Sequence, residues 1–339
     1  MGLLTHPRAV ELVEKFPAGT VLIVGDIMLD QFLIGSVNRL SPEAPVPIVE
    51  HSRNEYRVGG AANVANNIKA LGGQVELIGI VGTDLQGQRL IDELKTIKIG
   101  TQGIISDAER CTTRKLRIVT QRNQQVARVD FETNANLPEN LEGQIANQLD
   151  RAVANASVLL VSDYLKGTIT PTVMQHVLSC AKARGLPVLI DPKIPHIDYY
   201  AGATLITPNH HEAEIATQQH IRSMADAKIA AKAFQNRAAC ESVLITRGEH
   251  GMWLLDRTLN RNDETTEVQL PALAREVADV TGAGDTVIGT IAIGLAAGAN
   301  MREAAELANH AASIVVGKFG PSTVETIELL RSIETRSSS

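Results

Sequence analysis

Residues 279–286, DVTGAGDT, put two aspartates, two threonines and two glycines ahead of the apolar run VIGTIAIGLAAG. If a helix opens near residue 283, its first N–H groups are unpaired and its dipole adds positive charge there. Such a turn holds an anion, and glycine lets a phosphoryl group approach the backbone closely. Asp285 then stands beside the pocket, where a carboxylate takes a proton from an attacking hydroxyl. A plain helix start, with Asp285 stabilising the first turn, satisfies the octapeptide equally well.

Other segments carry polar residues at places where ligands gather. RVGGAANVANNIKALGG (57–73) opens on the pair Gly59 and Gly60, then sets Asn63, Asn66 and Asn67 in a helical pattern. Asparagine is a poor helix-interior residue, which points to contact with a ligand. Asp26 and Asp30 follow the first apolar run, at the carboxyl end of a strand, and Asp30 suits paired sugar hydroxyls. TPNHHEAE supplies Asn209 and Glu212, suited to a nucleotide–magnesium complex. TRGEHG supplies Arg247 and two glycines, for phosphate or ribose or for a hairpin turn. His210 and His211 lack a third ligand and an HExxH pattern. GxxxxGK[ST] is absent, as is GxGxxG after the first strand, so neither a P-loop nor a dinucleotide site is supported.

The elements that must position these residues are legible from periodicity. Strand patterns occupy 21–26, 75–82, 158–163, 188–192, 204–208 and 243–248, and helical patterns fall at 61–71, 84–96, 139–155, 171–184 and 223–239. Their alternation predicts an α/β fold with a mainly parallel sheet covered by helices on both faces. Residues 283–298, 301–317 and 324–332 predict successive helices packed on that core. Residues 31–58 and 103–132 break the rhythm and predict a small extra sheet, a lid inserted into a single domain spanning 1–339. Such a sheet is marginal alone, so pairing with a second copy, a homodimer through the lid, is expected. The tail RSIETRSSS is polar and expected to fray.

The bulk numbers bound the rest. With 339 residues and 44% hydrophobic content, the chain can bury one large core. A formal net charge of −6 without a basic run argues against nucleic acid as a partner. Cys111, Cys180 and Cys240 lie far apart without a CxxC spacing, which argues against a disulfide framework or a thiolate zinc site and suits a reducing, cytoplasmic setting. No apolar run is long enough to span a bilayer. The N-terminal MGLLTHPRAVELVEKF reads as an amphipathic surface helix rather than a signal peptide.

Taken in order, the GG of RVGGAANVA, then VGTDLQG, TPNHHE, TRGEHG and DVTGAGDT resemble the ribokinase-like (pfkB) carbohydrate kinase family over about residues 20–330. GDIMLD, NRLSPEAPVPIVE, TRKLRIVTQRNQQVARVDFE, SDYLKG, DPK and NHAASIVVGKFGPSTV are similar to its branch of D-glycero-β-D-manno-heptose 7-phosphate kinases of lipopolysaccharide biosynthesis. That kinase is often the first half of a bifunctional protein with an adenylyltransferase. This chain ends soon after the kinase segment, which is similar to the stand-alone form. One departure is visible: aromatic residues are frequent in relatives where this chain has Phe32, Leu33 and Ile34.

The resemblance implies a three-layer α/β/α core with a β-sheet lid and phosphoryl transfer from ATP to the anomeric hydroxyl, giving the 1,7-bisphosphate. It implies Asp285 as base, with the amides of Gly282, Ala283 and Gly284 as anion hole. Asp30, Gly59, Gly60 and Asn63 would hold the sugar, and Arg114, Lys115, Arg128 and Lys193 are candidates for the phosphates. Asn209, Glu212, Thr246, Arg247, Gly248 and Asn309 would hold ATP. Magnesium would sit mostly on phosphates and water near Glu212. Asp279 would help bind a potassium ion. Two alternatives stay open: another sugar or nucleoside kinase of this fold, and a non-catalytic sugar-phosphate binding module.

Overall fold

The computed structural model describes residues 4–133, 135–257, 266–274, 276–318 and 320–337. Strands β1 (Thr20–Gly25), β2 (Ile27–Leu40) and β3 (Pro47–Gly60) follow helix α1 (His6–Lys15). Next come α2 (Ala61–Ala70), β4 (Gln74–Gly82), α3 (Leu85–Thr96), β5 (Ile104–Asp107), β6 (Arg114–Thr120) and β7 (Gln125–Phe131). The middle of the chain forms α4 (Glu139–Ala152), β8 (Val158–Ser162), α5 (Pro171–Arg184), β9 (Val188–Asp191), β10 (Leu205–Ile206), α6 (His210–Thr217) and α7 (Met224–Ala238). The last third forms β11 (Ser242–Thr246), β12 (Met252–Asp256), β13 (Thr266–Leu270), α8 (Ala283–Ala296), α9 (Met301–Val315) and α10 (Thr326–Ser337).

Among the described residues, nine strands form one sheet in the order β13-β12-β11-β10-β9-β8-β1-β4-β5. Pairing is parallel from β11 to β5 and antiparallel for β12 and β13. Alternate residues of β1 serve opposite faces. Val21 and Ile23 join the core under α1, α2, α8 and α9, whereas Leu22 and Val24 join the core under α4, α5 and α7. Both faces are covered, so the strand is apolar throughout.

A four-stranded second sheet, ordered β3-β2-β6-β7, stands off the carboxyl ends of the core strands. Its strands β2 and β3 extend beyond the expected 31–58 at both ends. The expected lid segment 103–132 is corrected at its start: β5 pairs with β4 and closes the edge of the core sheet. The tail is also corrected. Residues 331–337 continue α10, with Leu329 and Ile333 buried against the core, so their apolar spacing outweighs local polarity. Residues 338–339 lie outside the described residues. No helix among the described residues is long and apolar enough to cross a membrane.

Candidate active site

Strand order reverses between β1, which leads to β4 on one side, and β8 on the other. This is the position where open α/β sheets leave a crevice at their carboxyl ends. Asp26, just past β1, is almost fully buried and organises the crevice. Its carboxylate accepts the amides of Tyr164 at 2.8 Å, Lys166 at 3.0 Å and Thr168 at 3.0 Å. Burial pushes its carboxyl up, against the pull of those amides.

α8 delivers Asp285 to the same place. Gly282 caps the helix with φ of 79°, and a Cβ there would lie 2.9 Å from Asn63 Nδ2, so glycine is required by conformation and space. At Gly284 a Cβ would meet nothing within 4 Å, so this turn faces open space. The amides of Gly282, Gly284 and Asp285 have no acceptor among the described residues, whereas that of Ala283 donates to the Val280 carbonyl at 3.2 Å. The three amides expected as an anion hole are therefore not equivalent.

Asp285 is 5% exposed. Asn63 Nδ2 donates to its Oδ2 at 2.6 Å and the Tyr164 hydroxyl donates to its Oδ1 at 2.6 Å. Burial raises its carboxyl above the usual range, Tyr164 and Asn63 lower it in part, Asp30 pushes it up and Lys115 pulls it down. Asn67, one helical turn beyond Asn63, is structural. Its Oδ1 accepts the Thr286 hydroxyl at 2.8 Å, locking α2 to α8. The asparagines of α2 thus divide between site and scaffold.

Pairing registers place Asp30, Arg57 and Lys115 side by side on one face of the second sheet, with Phe32, Glu55, Arg117 and Arg128 one step further along. Asp30 pairs with the Arg117 guanidinium, and a Cβ on Gly59 would come 2.5 Å from Asp30 Oδ2. Lys115 Nζ lies 5.4 Å from the centre of the Tyr164 ring, and Lys193 Nζ lies at the same distance. Burial lowers the Lys115 ammonium. Lys193 is raised because Asp191 and Glu212 outweigh its burial.

Arg114 belongs to the opposite face. It donates to Gln31 Oε1 at 2.8 Å and lies 3.9 Å over the Phe131 ring, so the structure does not bring it to the site. Strand alternation explains this: Arg114 and Lys115 are neighbours in sequence and must point apart. Arg128 shares the inner face but pairs with Asp130 at 2.9 Å and is half-exposed. The sequence reading passed over Arg117, two residues beyond Lys115, and Tyr164. The signal for Tyr164 was its place in SDYLKG, immediately after a buried strand.

On the other side of α8 lies an apolar pocket of about 210 Å³, lined by Thr246, Gly248, Gly251, Val280, Gly284 and Asn309 among others. Arg247 is buried and turned away, its Nη1 3.5 Å from Met224 Sδ, inside the β11–β12 hairpin turn. Asn209 and Glu212 cap α6 reciprocally: Glu212 Oε2 accepts the Asn209 amide at 2.9 Å, and Asn209 Oδ1 accepts the Glu212 amide at 3.0 Å. Glu212 Oε1 pairs with Lys193 at 2.6 Å, so both of its oxygens are engaged. With this donor set a magnesium ion near Glu212 would be held chiefly by phosphate and water. Asp279 accepts the amides of Thr281 at 2.9 Å and Gly320 at 3.0 Å. Burial would raise its carboxyl, but these bonds leave it lowered.

Residues 19–327 match the model of the pfkB family carbohydrate kinases. The chain is 44% identical over 312 residues to the bifunctional protein HldE of Trichlorobacter lovleyi, covering 92% of this chain and 62% of that protein. It is 42% identical to bifunctional protein HldE of Pelobacter propionicus, covering 95% of this chain and 64% of the relative. The chain therefore spans about three fifths of the length of these curated relatives. Among solved structures it resembles phosphofructokinase-2 from Escherichia coli in complex with potassium, with a TM-score of 0.76 and 19% identity, covering 94% of this chain and 99% of that one. Arabidopsis thaliana ribokinase complexed with ribose and ATP gives a TM-score of 0.70 at 19% identity, covering 93% and 98%. With a match over nearly its whole length and a fold shared with ribokinase, the chain belongs to the pfkB family of carbohydrate kinases.

Proposed function

We propose that this chain transfers the γ-phosphoryl group of ATP to the anomeric hydroxyl of D-glycero-β-D-manno-heptose 7-phosphate, giving the 1,7-bisphosphate for ADP-heptose and lipopolysaccharide core synthesis. The observation that carries the reaction type is the position of Asp285. It stands at the start of α8, between an apolar pocket of about 210 Å³ and the basic inner face of the second sheet. The adenine occupies the pocket, near Asn309 and Gly248. The γ-phosphoryl group lies over the unpaired amides of Gly282, Gly284 and Asp285. The anomeric oxygen displaces Tyr164 from the carboxylate and gives its proton to Asp285 as its bond to phosphorus forms. The bond from phosphorus to the bridging oxygen breaks, and ADP leaves. Magnesium, near Glu212 and held mostly by phosphates and water, would offset their charge, and Asp279 with its loop would help hold a potassium ion.

The substrate reading rests on the branch motifs of the sequence and on a cleft that suits a remote phosphate. Arg53, Arg57, Arg117 and Arg122 line it from the sheet, facing Asp279 and Gly320. Arg117 is two residues along from Lys115, about 7 Å at the rise of a strand, comparable with the reach from sugar ring to terminal phosphate. Asp30 and Asn63 hold the ring between the cleft and Asp285.

The outer face of the second sheet carries Leu33, Leu116, Ile118, Val129 and Phe131, with Val129 42% and Phe131 38% exposed. A second copy covering this face makes the homodimer; a monomeric mass in solution refutes it.

The test is ADP release with magnesium and potassium on heptose 7-phosphate, its dephosphorylated sugar, ribose, fructose and fructose 6-phosphate. Selective turnover of heptose 7-phosphate, with KM raised at least tenfold by Arg117→Ala, supports the reading. Turnover confined to another sugar leaves the role of Asp285 standing and removes the substrate. Binding without turnover makes the protein a sugar-phosphate binding module.

A further inference from the structure

On the face of the core sheet away from α8, helices α4 and α5 pack side by side. His176 and Cys180 are four residues apart on α5 and share one side of it. Asp150, in the last turn of α4, meets them both. Its Oδ1 is 3.0 Å from His176 Nε2 and 3.6 Å from Cys180 Sγ, and one donor atom from each residue lies within 4.8 Å of the others. None of the three takes part in the chemistry derived above. We propose that they form a binding site for a divalent transition metal ion of the zinc class, with carboxylate, imidazole and thiolate ligands and water in the fourth position.

The spacing fits that ion. Zinc bonds of roughly 2.0–2.2 Å to nitrogen or oxygen and about 2.3 Å to sulfur, in a tetrahedron, set neighbouring ligand atoms about 3.3–3.7 Å apart. The two separations to Asp150 lie close to that range, and the His176 and Cys180 donor atoms are within 4.8 Å of each other, so side-chain rotation would have to bring them to ligand spacing. Access is graded. Cys180 sits at the bottom, 9% exposed, while the side chains of His176 and Asp150 are 33% and 59% exposed. A groove lined by Gly143, Ala146, Gln175 and Ser179 runs up to His176 and leaves space for water.

The donor set also selects. A thiolate and an imidazole disfavour magnesium and calcium, which take oxygen ligands, and favour zinc or cobalt. Without an ion, the Cys180 thiol donates to Asp150, and burial together with that carboxylate holds its proton on while Arg184 opposes them. Binding replaces this hydrogen bond with a metal–sulfur bond and releases the thiol proton. The ion would tie the end of α4 to the middle of α5, a staple between helices that touch only through side chains. The sequence hid the site because its cysteines are scattered and its third ligand lies 26 residues before His176.

The experiment is a titration of the tag-free, metal-stripped full chain with cobalt(II), followed by zinc(II). The expected result is a near-ultraviolet thiolate-to-cobalt charge-transfer band with intense visible bands, saturating at one ion per chain and bleached by zinc. Cys180→Ala and His176→Ala should each remove the charge-transfer band or weaken binding at least tenfold, leaving magnesium-dependent phosphoryl transfer unchanged. Zinc should raise the melting temperature of the parent and not of Cys180→Ala. Absence of the charge-transfer band in the parent overturns the proposal. So does a band that survives in Cys180→Ala but disappears in Cys111→Ala, because it then comes from the exposed thiol.

Discussion

The Tyr164 hydroxyl donates to Asp285 Oδ1 at 2.6 Å, while the ammonium groups of Lys115 and Lys193 each lie 5.4 Å from the centre of its ring. Burial and the neighbouring Asp285 and Asp191 push the phenol well above its ordinary range, so it stays a donor at any physiological pH. Tyr164→Phe removes a bond that favours the ionised carboxylate. The Asp285 carboxyl then titrates higher. Stability of the ionised form is lost as pH falls, so the acid limb of kcat/KM should move to higher pH. A pH–rate profile superimposable on the parent would show that Tyr164 does not tune the base.

Asp285→Asn keeps the size of the side chain, and its one carbonyl oxygen can still accept from Asn63 while the Tyr164 hydroxyl turns to accept from the new amide, but the proton acceptor is removed. We expect kcat to fall roughly 10²–10⁴-fold with ATP binding retained, read by steady-state kinetics beside nucleotide titration. Equal loss of nucleotide binding would instead assign Asp285 a structural role.

Two glycine substitutions separate space from chemistry. Gly59→Ala puts a methyl group 2.5 Å from Asp30 Oδ2 and 2.9 Å from Met28 Cγ, so it should displace Asp30 and raise the sugar KM. Gly284→Ala meets nothing within 4 Å, and alanine favours a helix by about 1 kcal/mol over glycine. It should therefore keep or raise the melting temperature, while its methyl group intrudes on the phosphoryl position and lowers kcat at least tenfold. Full activity in Gly284→Ala would move the phosphoryl group away from this turn.

His310 links pH to stability. It is 8% exposed, its Nδ1 lies 2.8 Å from Ser332 Oγ, and burial with nearby Arg336 lowers it from 6.5 to about 4. The unfolded chain takes up the proton first as pH falls. The neutral ring therefore favours the fold above pH 6.5, and that contribution is lost between about 6.5 and 4. Its size is on the order of 3 kcal/mol. Denaturant midpoints measured over this window should fall less steeply in His310→Gln than in the parent.

The alternation of apolar runs and helical periods in the sequence was enough to determine a parallel sheet covered on both faces, because burial leaves so few patterns available. The helix start at DVTGAGDT was legible for a local reason: glycine and unpaired amides act within one turn. Side-chain direction in the second sheet was decided by pairing register. Register put Arg117 beside Asp30 and sent Arg114 to the opposite face, although the resemblance pointed to Arg114 and not to Arg117. The company of Asp285 was likewise tertiary. Asn63 and Tyr164 reach it from positions 222 and 121 residues away, and composition carries no record of such distances. The tail shows the same division. Its polarity predicted fraying, but the α1–α9 surface offered Leu329 and Ile333 a place to be buried. Local chemistry was written in the chain, while the choice of partners required the fold to close.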